Sequence, residues 1–561
     1  MQTPAVRVWP QTVVRVAFSV RVCRACGFML VAAHTAAVAA PAALHAGLES
    51  ALARVNEQAP GCVIGVARDG ERAVLARGQA DLERGSALTA DSVLEAGSVA
   101  KQFTAYLVLL LAKEGKLSLD DPLARHLPEF AGLPAGAATL RQAMQHTAGL
   151  RDWGSLVAFE GWPRGTRDIS NTQVRALLAR QRSLNFAPGT QWSYSNSGYQ
   201  LAAEVLARVG GSDFATLSRE RLFMPLGLLS THWRADPNQF VLGRALAYEP
   251  AAAGWRLAMP GESAHGAGGL LSTVSDLLSW AEELRQPRRL DPQLVAQMLA
   301  PALTADGHRL PYGLGLDLGS WRGLAEFGHG GATAGYRAQL RSYPEARISV
   351  AMLCNRSDAA TGSMARVAVL AALPPGAVAP EVTAPAFALT PAQAAAFVGL
   401  YRHPANGQTR RIDLQDGVLR VPGAGVVQPL AVNRVRLAIG IELQLEADGL
   451  RLRTPDGREE TWARVHVSAP SAAALAAYVG RYRSDEVQQS YSVVQEGQVL
   501  LLLGPAGEKT RLEPRDRDNF EAPLASVRFE REANGVVSAL VFGEARVWAL
   551  RFVRDGPAPK L

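Results

Sequence analysis

The sequence predicts an α+β fold in which one large mixed domain is followed by two small antiparallel β-domains. Three observations lead to this prediction. The chain has 561 residues, of which 48% are hydrophobic and 19% charged, so it is long enough for several domains with their own cores. Strand-like and helix-like segments are mixed between residues 48 and 373. Beyond them, turn dipeptides recur about every ten residues, which is typical of antiparallel β-structure.

The large domain, residues 48–373, combines apolar runs of two lengths. Residues 63–70 form a short apolar run that ends in an Asp-Gly pair, which predicts a strand closed by a turn. Residues 99–114 are almost continuously apolar and long enough to predict a helix that is buried on most sides. Near the far end, residues 348–354 have the pattern of a strand, and residues 362–373 that of a helix packing back on it. This mixture predicts an α+β domain.

The remainder of the chain is a linker followed by a twofold repeat. Residues 374–391 are rich in Pro and Ala, which predicts a linker with little to bury. After it, Phe-Val-Gly-Leu-Tyr-Arg at residues 397–402 is matched by Tyr-Val-Gly-Arg-Tyr-Arg at residues 478–483. Two copies are too few for a solenoid. The repeat therefore predicts two sister β-domains, residues 392–466 and 471–555, each a small barrel or sandwich.

The first 39 residues have the pattern of an export signal. A basic stretch that ends at Arg24 precedes an apolar run, and Ala37-Val38-Ala39 offers a small-x-small cleavage site. The alternative is an uncleaved membrane anchor, for which the apolar run is a poor span because it contains His34 and Pro41. The favoured prediction is a signal peptide over residues 1–39 and an exported protein, periplasmic or secreted, with no membrane span after cleavage.

Charge excludes nucleic acid as the expected partner. Lys and Arg exceed Asp and Glu by 58 to 51, but four of the Arg lie in the first 24 residues. The rest of the chain is nearly neutral, and no run of basic residues is interleaved with aromatic residues. We expect a small-molecule or peptide substrate as the partner.

Cysteine and histidine usage predicts neither a metal site nor a cofactor. Outside the predicted signal, which contains Cys23 and Cys26, no Cys or His pair has the spacing of metal ligands. Outside the signal, the two cysteines are Cys62 and Cys354, both in apolar, strand-like runs. They are either one disulfide of an oxidising compartment or two buried thiols, and the sequence does not decide between these alternatives.

The first chemical motif is Ser98-Val-Ala-Lys101, at the start of the predicted buried helix. A spacing of three places the hydroxyl and the ammonium on one helical face. Backbone N–H groups at a helix N-terminus can stabilise an oxyanion, and a neutral Lys can accept the Ser proton if burial lowers its pKa. Alone, the motif also fits a capping Ser and a solvated Lys.

Two further motifs are Tyr194-Ser-Asn196 and His329-Gly330-Gly331. A Tyr beside a Lys can relay a proton, and an Asn two residues later can hydrogen-bond the Lys or a substrate amide. Strand glycines let a ligand backbone approach closely, and the N–H that follows, on Ala332, can donate to an oxyanion. Taken singly, each motif also fits a structural turn or strand.

Together, in this order, the three motifs resemble those of the serine β-lactamase and penicillin-binding-protein superfamily. The surrounding stretches at residues 97–105, 146–150 and 268–277 are similar to its class C branch. That branch includes class C β-lactamases, D-alanyl-D-alanine carboxypeptidases, D-aminopeptidases and esterases. The resemblance implies an antiparallel sheet flanked by helices, plus an all-helical region, for residues 48–373. The two added β-domains resemble the three-domain layout of the D-aminopeptidases.

The resemblance also implies a role for each motif residue. Ser98 would be the nucleophile and Lys101 its partner in proton abstraction. Tyr194 would be the general base and then the acid that protonates the leaving group. Asn196 would orient Lys101 and the substrate amide.

The third motif would bind the substrate and its oxyanion. His329 would stand in place of the Lys that opens this triplet in most β-lactamases, followed by Gly330 and Gly331. The N–H groups of Ser98 and Ala332 would form the oxyanion hole. At Gly330 β-lactamases and many carboxypeptidases carry Thr or Ser, whose hydroxyl binds a substrate carboxylate, so efficient β-lactam hydrolysis is not expected. Two further residues of the surrounding loops, His146 and Trp153, are expected to shape the site rather than act in catalysis.

These residues predict an exported serine hydrolase that acts through a Ser acyl-enzyme on small esters or amides, D-amino-acid peptides included. No Gly-x-Ser-x-Gly motif supports an α/β-hydrolase. A D-alanyl-D-alanine carboxypeptidase or weak β-lactamase is the alternative within this class. A non-hydrolytic receptor for peptidoglycan fragments or other ligands is the alternative from another class.

Overall fold

The computed structural model describes residues 42–374, 376–379, 387–437, 440–454, 459–468, 470–523 and 525–559. The predicted signal peptide, residues 1–39, lies outside these residues. Within the described part of the chain, no helix is both long and apolar enough to cross a membrane. The α+β prediction with two following β-barrels is confirmed.

The large domain is built on a six-stranded antiparallel sheet. Its central strand, Ile348–Cys354, is fully buried and pairs with Cys62–Arg68, so distant parts of the domain meet at the sheet centre. Cys62 and Cys354 are register partners there and form a disulfide, the first of the two alternatives left open by the sequence. In sheet order the strands are Asp317–Trp321, Leu324–Thr333, Tyr336–Tyr343, Ile348–Cys354, Cys62–Arg68 and Glu71–Arg77.

Helices cover both faces of this sheet. One face is packed by Ala42–Leu52 and Thr361–Ala372, whose apolar side chains form a separate core with the strands. The other face is packed by Val274–Arg285, and it joins the main core of the molecule. Burying apolar surface on both faces explains why Cys62–Arg68 and Ile348–Cys354 are nearly continuous apolar runs.

A helical region lies beside the sheet, around the buried helix Lys101–Lys113. The apolar run at residues 99–114 predicts one helix, whereas its first residues form a 3₁₀ turn, Gly97–Ala100, before the α-helix begins. The other helices and helical turns of the domain are Leu123–His126, Pro128–Phe130 (3₁₀), Pro134–Ala137, Leu140–Met144, Trp153–Phe159, Asn171–Ala179, Asn196–Gly210, Phe214–Ser218, Arg219–Phe223 (a π-helical turn), Met224–Leu226 and Pro292–Leu299.

Three small sheets complete the domain. They consist of Gln79–Asp81 with Ser86–Ala87, of Leu94–Glu95 with Leu270–Ser272 and His232–Trp233, and of Tyr248–Pro250 with Trp255–Leu257. The strand Leu94–Glu95 leads directly into the 3₁₀ turn that carries Ser98, so this sheet fixes the entry to that turn.

Each of the two repeats forms a closed eight-stranded barrel preceded by a short helical segment. The first barrel follows the helix Pro391–Phe397 and contains Gly399–Arg402, Thr409–Gln415, Val418–Val421, Gly425–Ala431, Arg434–Leu437, Glu442–Glu446, Gly449–Arg453 and Glu459–Val465. The second follows Ala472–Leu475 and Ala476–Tyr478 and contains Gly480–Ser484, Gln489–Glu496, Val499–Leu503, Lys509–Asp516, Asn519–Ala522, Ala525–Arg531, Val537–Glu544 and Val547–Gly556. Closure leaves no sheet edge unpaired.

The second barrel packs against the helical region of the large domain. The guanidinium of Arg151, only 1% exposed in its side chain, pairs with Glu486 of the barrel at 3.0 Å. Aromatic rings also meet across this interface, Phe159 with Phe542 and Phe186 with Trp548, each with centroids 5.1 Å apart. The interface therefore fixes the segment that begins at Arg151, which leads into the site described next.

Candidate active site

Ser98 lies in the 3₁₀ turn Gly97–Ala100, at the N-terminal end of the buried helix. The turn requires glycine at position 97, where φ is +52° and a Cβ atom would come 2.7 Å from the backbone nitrogen of Ala332. The backbone of Ala332 therefore comes very close to the turn that holds Ser98. This brings together the two residues whose N–H groups the sequence predicts as oxyanion donors.

Lys101 is completely buried one helical turn from Ser98. Its Nζ donates to Ser98 Oγ at 3.0 Å, to Asn196 Oδ1 at 2.8 Å and to the carbonyl of Ala267 at 2.7 Å. Burial removes the ammonium from water and holds the pKa of Lys101 well below its usual value of 10.5. A neutral amine is thus accessible beside the Ser98 hydroxyl.

Tyr194 approaches the same hydroxyl from the other side. Its phenol donates to Ser98 Oγ at 2.9 Å, and Lys101 Nζ lies 5.0 Å from the centre of its ring. Burial raises the pKa of Tyr194 above its usual 10.0, so the phenol keeps its proton in the resting site. Ser98 Oγ therefore contacts one group that can take a proton and one that can give it.

Asn196 is the first residue of the helix Asn196–Gly210, and its amide is held from behind by Asp152. Asp152 Oδ2 accepts from the Asn196 backbone N–H at 2.7 Å and from its Nδ2 at 2.8 Å. This contact fixes the amide so that Oδ1 points to Lys101. Sequence reasoning missed Asp152. An Asp before a helix signals an N-cap, which Asp152 is for Trp153–Phe159, but the signal does not reveal what else the carboxylate binds.

His329, Gly330 and Gly331 lie on the strand Leu324–Thr333, which faces the Ser98 turn. His329 contacts the Tyr312 hydroxyl through Nε2 at 3.1 Å, and burial lowers its pKa, so the imidazole is neutral. A Cβ at Gly331 would lie 2.1 Å from the carbonyl oxygen of Ala96, whereas the atom nearest to one at Gly330 would be Gln339 Oε1, at 3.4 Å. Gly331 is thus needed for the close approach of the strand.

His146 and Trp153 lie around the site rather than against Ser98. His146 Nδ1 accepts from the Ser195 backbone N–H at 3.2 Å, and its ring lies 4.3 Å from that of Tyr194, centre to centre. Burial lowers the pKa of His146, so it supports Tyr194 as a neutral ring. The guanidinium carbon of Arg164 lies over the Trp153 ring, 4.8 Å from the centre of that ring.

A cavity of about 340 Å³ opens onto Ser98 and the third motif. Three of the charged side chains in its wall were not predicted from the sequence: Arg164, Glu262 and Arg546. Arg164 forms an ion pair with Glu262. Arg546 belongs to the second barrel, so the barrel forms part of the wall. A larger groove, lined by Arg72, Arg347 and their neighbours, contains none of the three motifs.

Among the residues that the structure describes, no cluster of His, Cys, Asp or Glu has the arrangement of a metal site. The geometry around Ser98 instead is that of a nucleophile held between an amine and a phenol. A buried Lys three residues after a Ser, with a Tyr on the same hydroxyl, defines a serine hydrolase of the Ser-x-x-Lys class.

The comparison with protein families assigns this domain. The β-lactamase family model matches residues 43–373, and the chain belongs to that family. A D-aminopeptidase of Brucella melitensis biotype 2 is 27% identical over 512 residues, which is 87% of this chain and 94% of the relative.

Two solved structures are similar in fold. A D-stereospecific amidohydrolase from Streptomyces sp. is 26% identical, with a TM-score of 0.51 over 57% of this chain and 97% of the other. An octameric penicillin-binding protein homologue from Pyrococcus abyssi is 20% identical, with a TM-score of 0.52 over 82% of this chain and 97% of the other. The second likeness extends beyond the large domain into the barrels.

Proposed function

We propose that the chain is an exported hydrolase that cleaves esters, amides and short peptides of D-amino acids through an acyl-enzyme on Ser98. The observation that carries the proposal is the pair of hydrogen bonds on Ser98 Oγ, from Lys101 at 3.0 Å and from Tyr194 at 2.9 Å. The preference for D-amino acids is supported by the D-aminopeptidase and D-stereospecific amidohydrolase to which the chain is similar.

In the acylation step, Ser98 Oγ attacks the substrate carbonyl carbon and its proton passes to neutral Lys101. The negative charge that develops on the carbonyl oxygen is stabilised by the N–H groups of Ser98 and Ala332. As the bond to the leaving group breaks, Tyr194 gives its proton to the departing amine or alcohol, and the proton on Lys101 returns to Tyr194. The directions of the two pKa shifts favour this division, with Lys101 as the base and Tyr194 as the acid.

In the deacylation step, a water molecule attacks the ester on Ser98. The same groups act in reverse: the water gives a proton to Tyr194 while Tyr194 passes its own to Lys101, and Lys101 gives a proton to Ser98 Oγ as the ester bond breaks. Neutral His329 and the glycines beside it leave room for the substrate backbone along the strand Leu324–Thr333. No metal or cofactor enters this scheme.

Export is part of the proposal and has two supports. The basic, apolar and small-residue pattern of residues 1–39 is that of a secretory signal. The Cys62–Cys354 disulfide at the centre of the sheet is typical of oxidising compartments such as the periplasm.

The test is hydrolysis of D-alanine p-nitroanilide and its L-enantiomer by the protein and by Ser98→Ala. We expect turnover of the D-enantiomer that disappears in Ser98→Ala, with a much slower rate for the L-enantiomer. Ser363→Ala, an exposed serine far from the motifs in sequence, is the matched control and should keep full activity. Equal rates in the protein and in Ser98→Ala would refute the nucleophile, and equal rates for the enantiomers would refute the D-preference.

A further inference from the structure

One guanidinium in the wall of the Ser98 cavity, that of Arg546, forms no ion pair with any of the residues that the structure describes. Arg164 is stacked on Trp153 and forms an ion pair with Glu262, which balances its charge. Lys101 is buried, holds three partners and has a lowered pKa. Arg546, by contrast, has no carboxylate within 4 Å of its guanidinium among the described residues.

Arg546 is held in place by its backbone rather than by its side chain. It lies in the turn between the strands Val537–Glu544 and Val547–Gly556. Its carbonyl accepts from the Asp152 N–H at 3.2 Å and from Asn185 Nδ2 at 2.9 Å, and its N–H donates to Glu544 Oε1 at 3.0 Å. These bonds fix the Cα position and leave the guanidinium free to bind a ligand.

The guanidinium lies over the Tyr194 ring, 4.9 Å from its centre. The hydroxyl of that ring contacts Ser98 Oγ at 2.9 Å. In the proposed mechanism Tyr194 protonates the leaving group, so Arg546 lies on the leaving-group side of the scissile bond. A group bound by Arg546 would belong to the part of the substrate that departs.

The third motif offers no charge of its own to a substrate carboxylate. His329 is neutral, and Gly330 has no hydroxyl. Two acidic residues hydrogen-bond to the Arg546 backbone, and both carboxylates are engaged elsewhere than at its guanidinium, Asp152 with Asn196 and Glu544 with the Arg546 N–H. An unpaired guanidinium in such a pocket is suited to a carboxylate, which it can bind with two parallel hydrogen bonds.

We propose that Arg546 binds a carboxylate on the leaving group, so that the preferred substrates are peptides whose departing residue is C-terminal and free. This inference rests on the proposed function and names its substrate class: D-amino-acid dipeptides in preference to D-amino-acid amides. Arg546, the carboxylate anchor, comes from the second barrel. It takes the place of the hydroxyl and the cation that the third motif lacks.

The test compares D-alanylglycine with D-alanylglycinamide, measured as release of D-alanine. We expect kcat/KM to favour the free acid by about 10- to 100-fold, the range of a charge-assisted hydrogen bond. Arg546→Gln should reduce that ratio to near one, and Arg546→Lys should restore part of it. Using the ratio cancels any effect of the substitution on Tyr194, since both substrates share the same chemical step.

A second measurement separates this inference from the proposed function. In the Ser98→Ala background, calorimetry should detect tighter binding of D-alanylglycine than of its amide, and Arg546→Gln should abolish the difference. Hydrolysis of both peptides at equal kcat/KM, or a preference for the acid that survives Arg546→Gln, overturns the carboxylate anchor but leaves the hydrolase. If neither peptide is hydrolysed, the proposed function fails, and the calorimetric difference alone then supports or overturns the anchor.

Discussion

The Asp152 carboxylate provides a direct test of how the charge on Lys101 is controlled. Asp152→Asn removes one negative charge and keeps a side chain that can still cap the helix Trp153–Phe159. Besides burial, which dominates, four charged groups act on Lys101: Asp152 and Asp317 raise its pKa, and Arg546 and Arg164 lower it. Removing Asp152 should therefore lower the pKa of Lys101 further.

The size of the effect follows from the bridge between the two groups. Lys101 Nζ and Asp152 Oδ2 are joined through the Asn196 amide by two hydrogen bonds of 2.8 Å. The two hydrogen bonds and the amide between them separate the Lys101 and Asp152 charges by about 7 Å. At that distance the charges attract each other by roughly 2 kcal/mol at an effective dielectric constant of about 20. Since one pKa unit corresponds to about 1.4 kcal/mol, we expect a shift of about one unit.

The assay is the pH profile of kcat/KM for D-alanine p-nitroanilide. In the proposed mechanism the base is neutral Lys101, so activity should rise as pH increases through the lowered pKa of Lys101, below 10.5. In Asp152→Asn this ascending limb should move to lower pH by about one unit. Asp152→Glu, which keeps the charge and disturbs the geometry, should lower the plateau without moving the limb.

Arg546→Gln is a control that should move the ascending limb of the pH profile in the opposite direction. Arg546 lowers the pKa of Lys101, so its removal should move the ascending limb to higher pH. If both substitutions move the limb in the same direction, or if Asp152→Asn leaves it in place, the assignment of Lys101 as the base is wrong.

Two further predictions concern the strand beside Ser98 and the barrel interface. Gly331→Ala places a Cβ 2.1 Å from the Ala96 carbonyl oxygen and should reduce kcat by at least about 100-fold. Gly330→Ala places its Cβ no closer than 3.4 Å, to Gln339 Oε1, and should change kcat by less than about threefold. Equal losses in steady-state kinetics would contradict the close approach at Gly331. Arg151→Met removes the buried guanidinium that pairs with the partly buried Glu486, whose carboxylate keeps its bond from the Arg182 N–H, and should lower the free energy of unfolding by about 1–3 kcal/mol, measured by urea denaturation. A change under about 1 kcal/mol would show that the pair does not stabilise the interface.

The features that the sequence predicted are those with a local signal. Hairpin turns and the repeated Tyr-Arg segments predicted two β-domains, because turn chemistry and strand alternation depend on neighbouring residues. Ser98 and Lys101 could be predicted because residues three positions apart lie on the same face of a helix. The order of the three motifs then gave the fold of the large domain through its resemblance to a known superfamily.

The features that the sequence did not predict depend on contacts between distant residues. Asp152 meets Asn196 and the backbone of Arg546, and neither contact leaves a pattern in the residues around it. The same holds for the Arg164–Glu262 pair, which is joined across 98 positions. The choice between thiols and a disulfide for Cys62 also depended on a partner 292 residues away, which only the strand register could identify.

The contact of Arg546 with the Ser98 cavity has a consequence for when the site is complete. During synthesis Ser98, Lys101 and Tyr194 leave the ribosome long before residue 546 does, and domains generally fold as they emerge. The nucleophile can thus be in place while one wall of its cavity, and the bond that the Arg546 carbonyl accepts from Asp152, are still missing. The hydrolase is therefore complete only when the second barrel has closed and docked, which delays its full activity until the whole chain has folded.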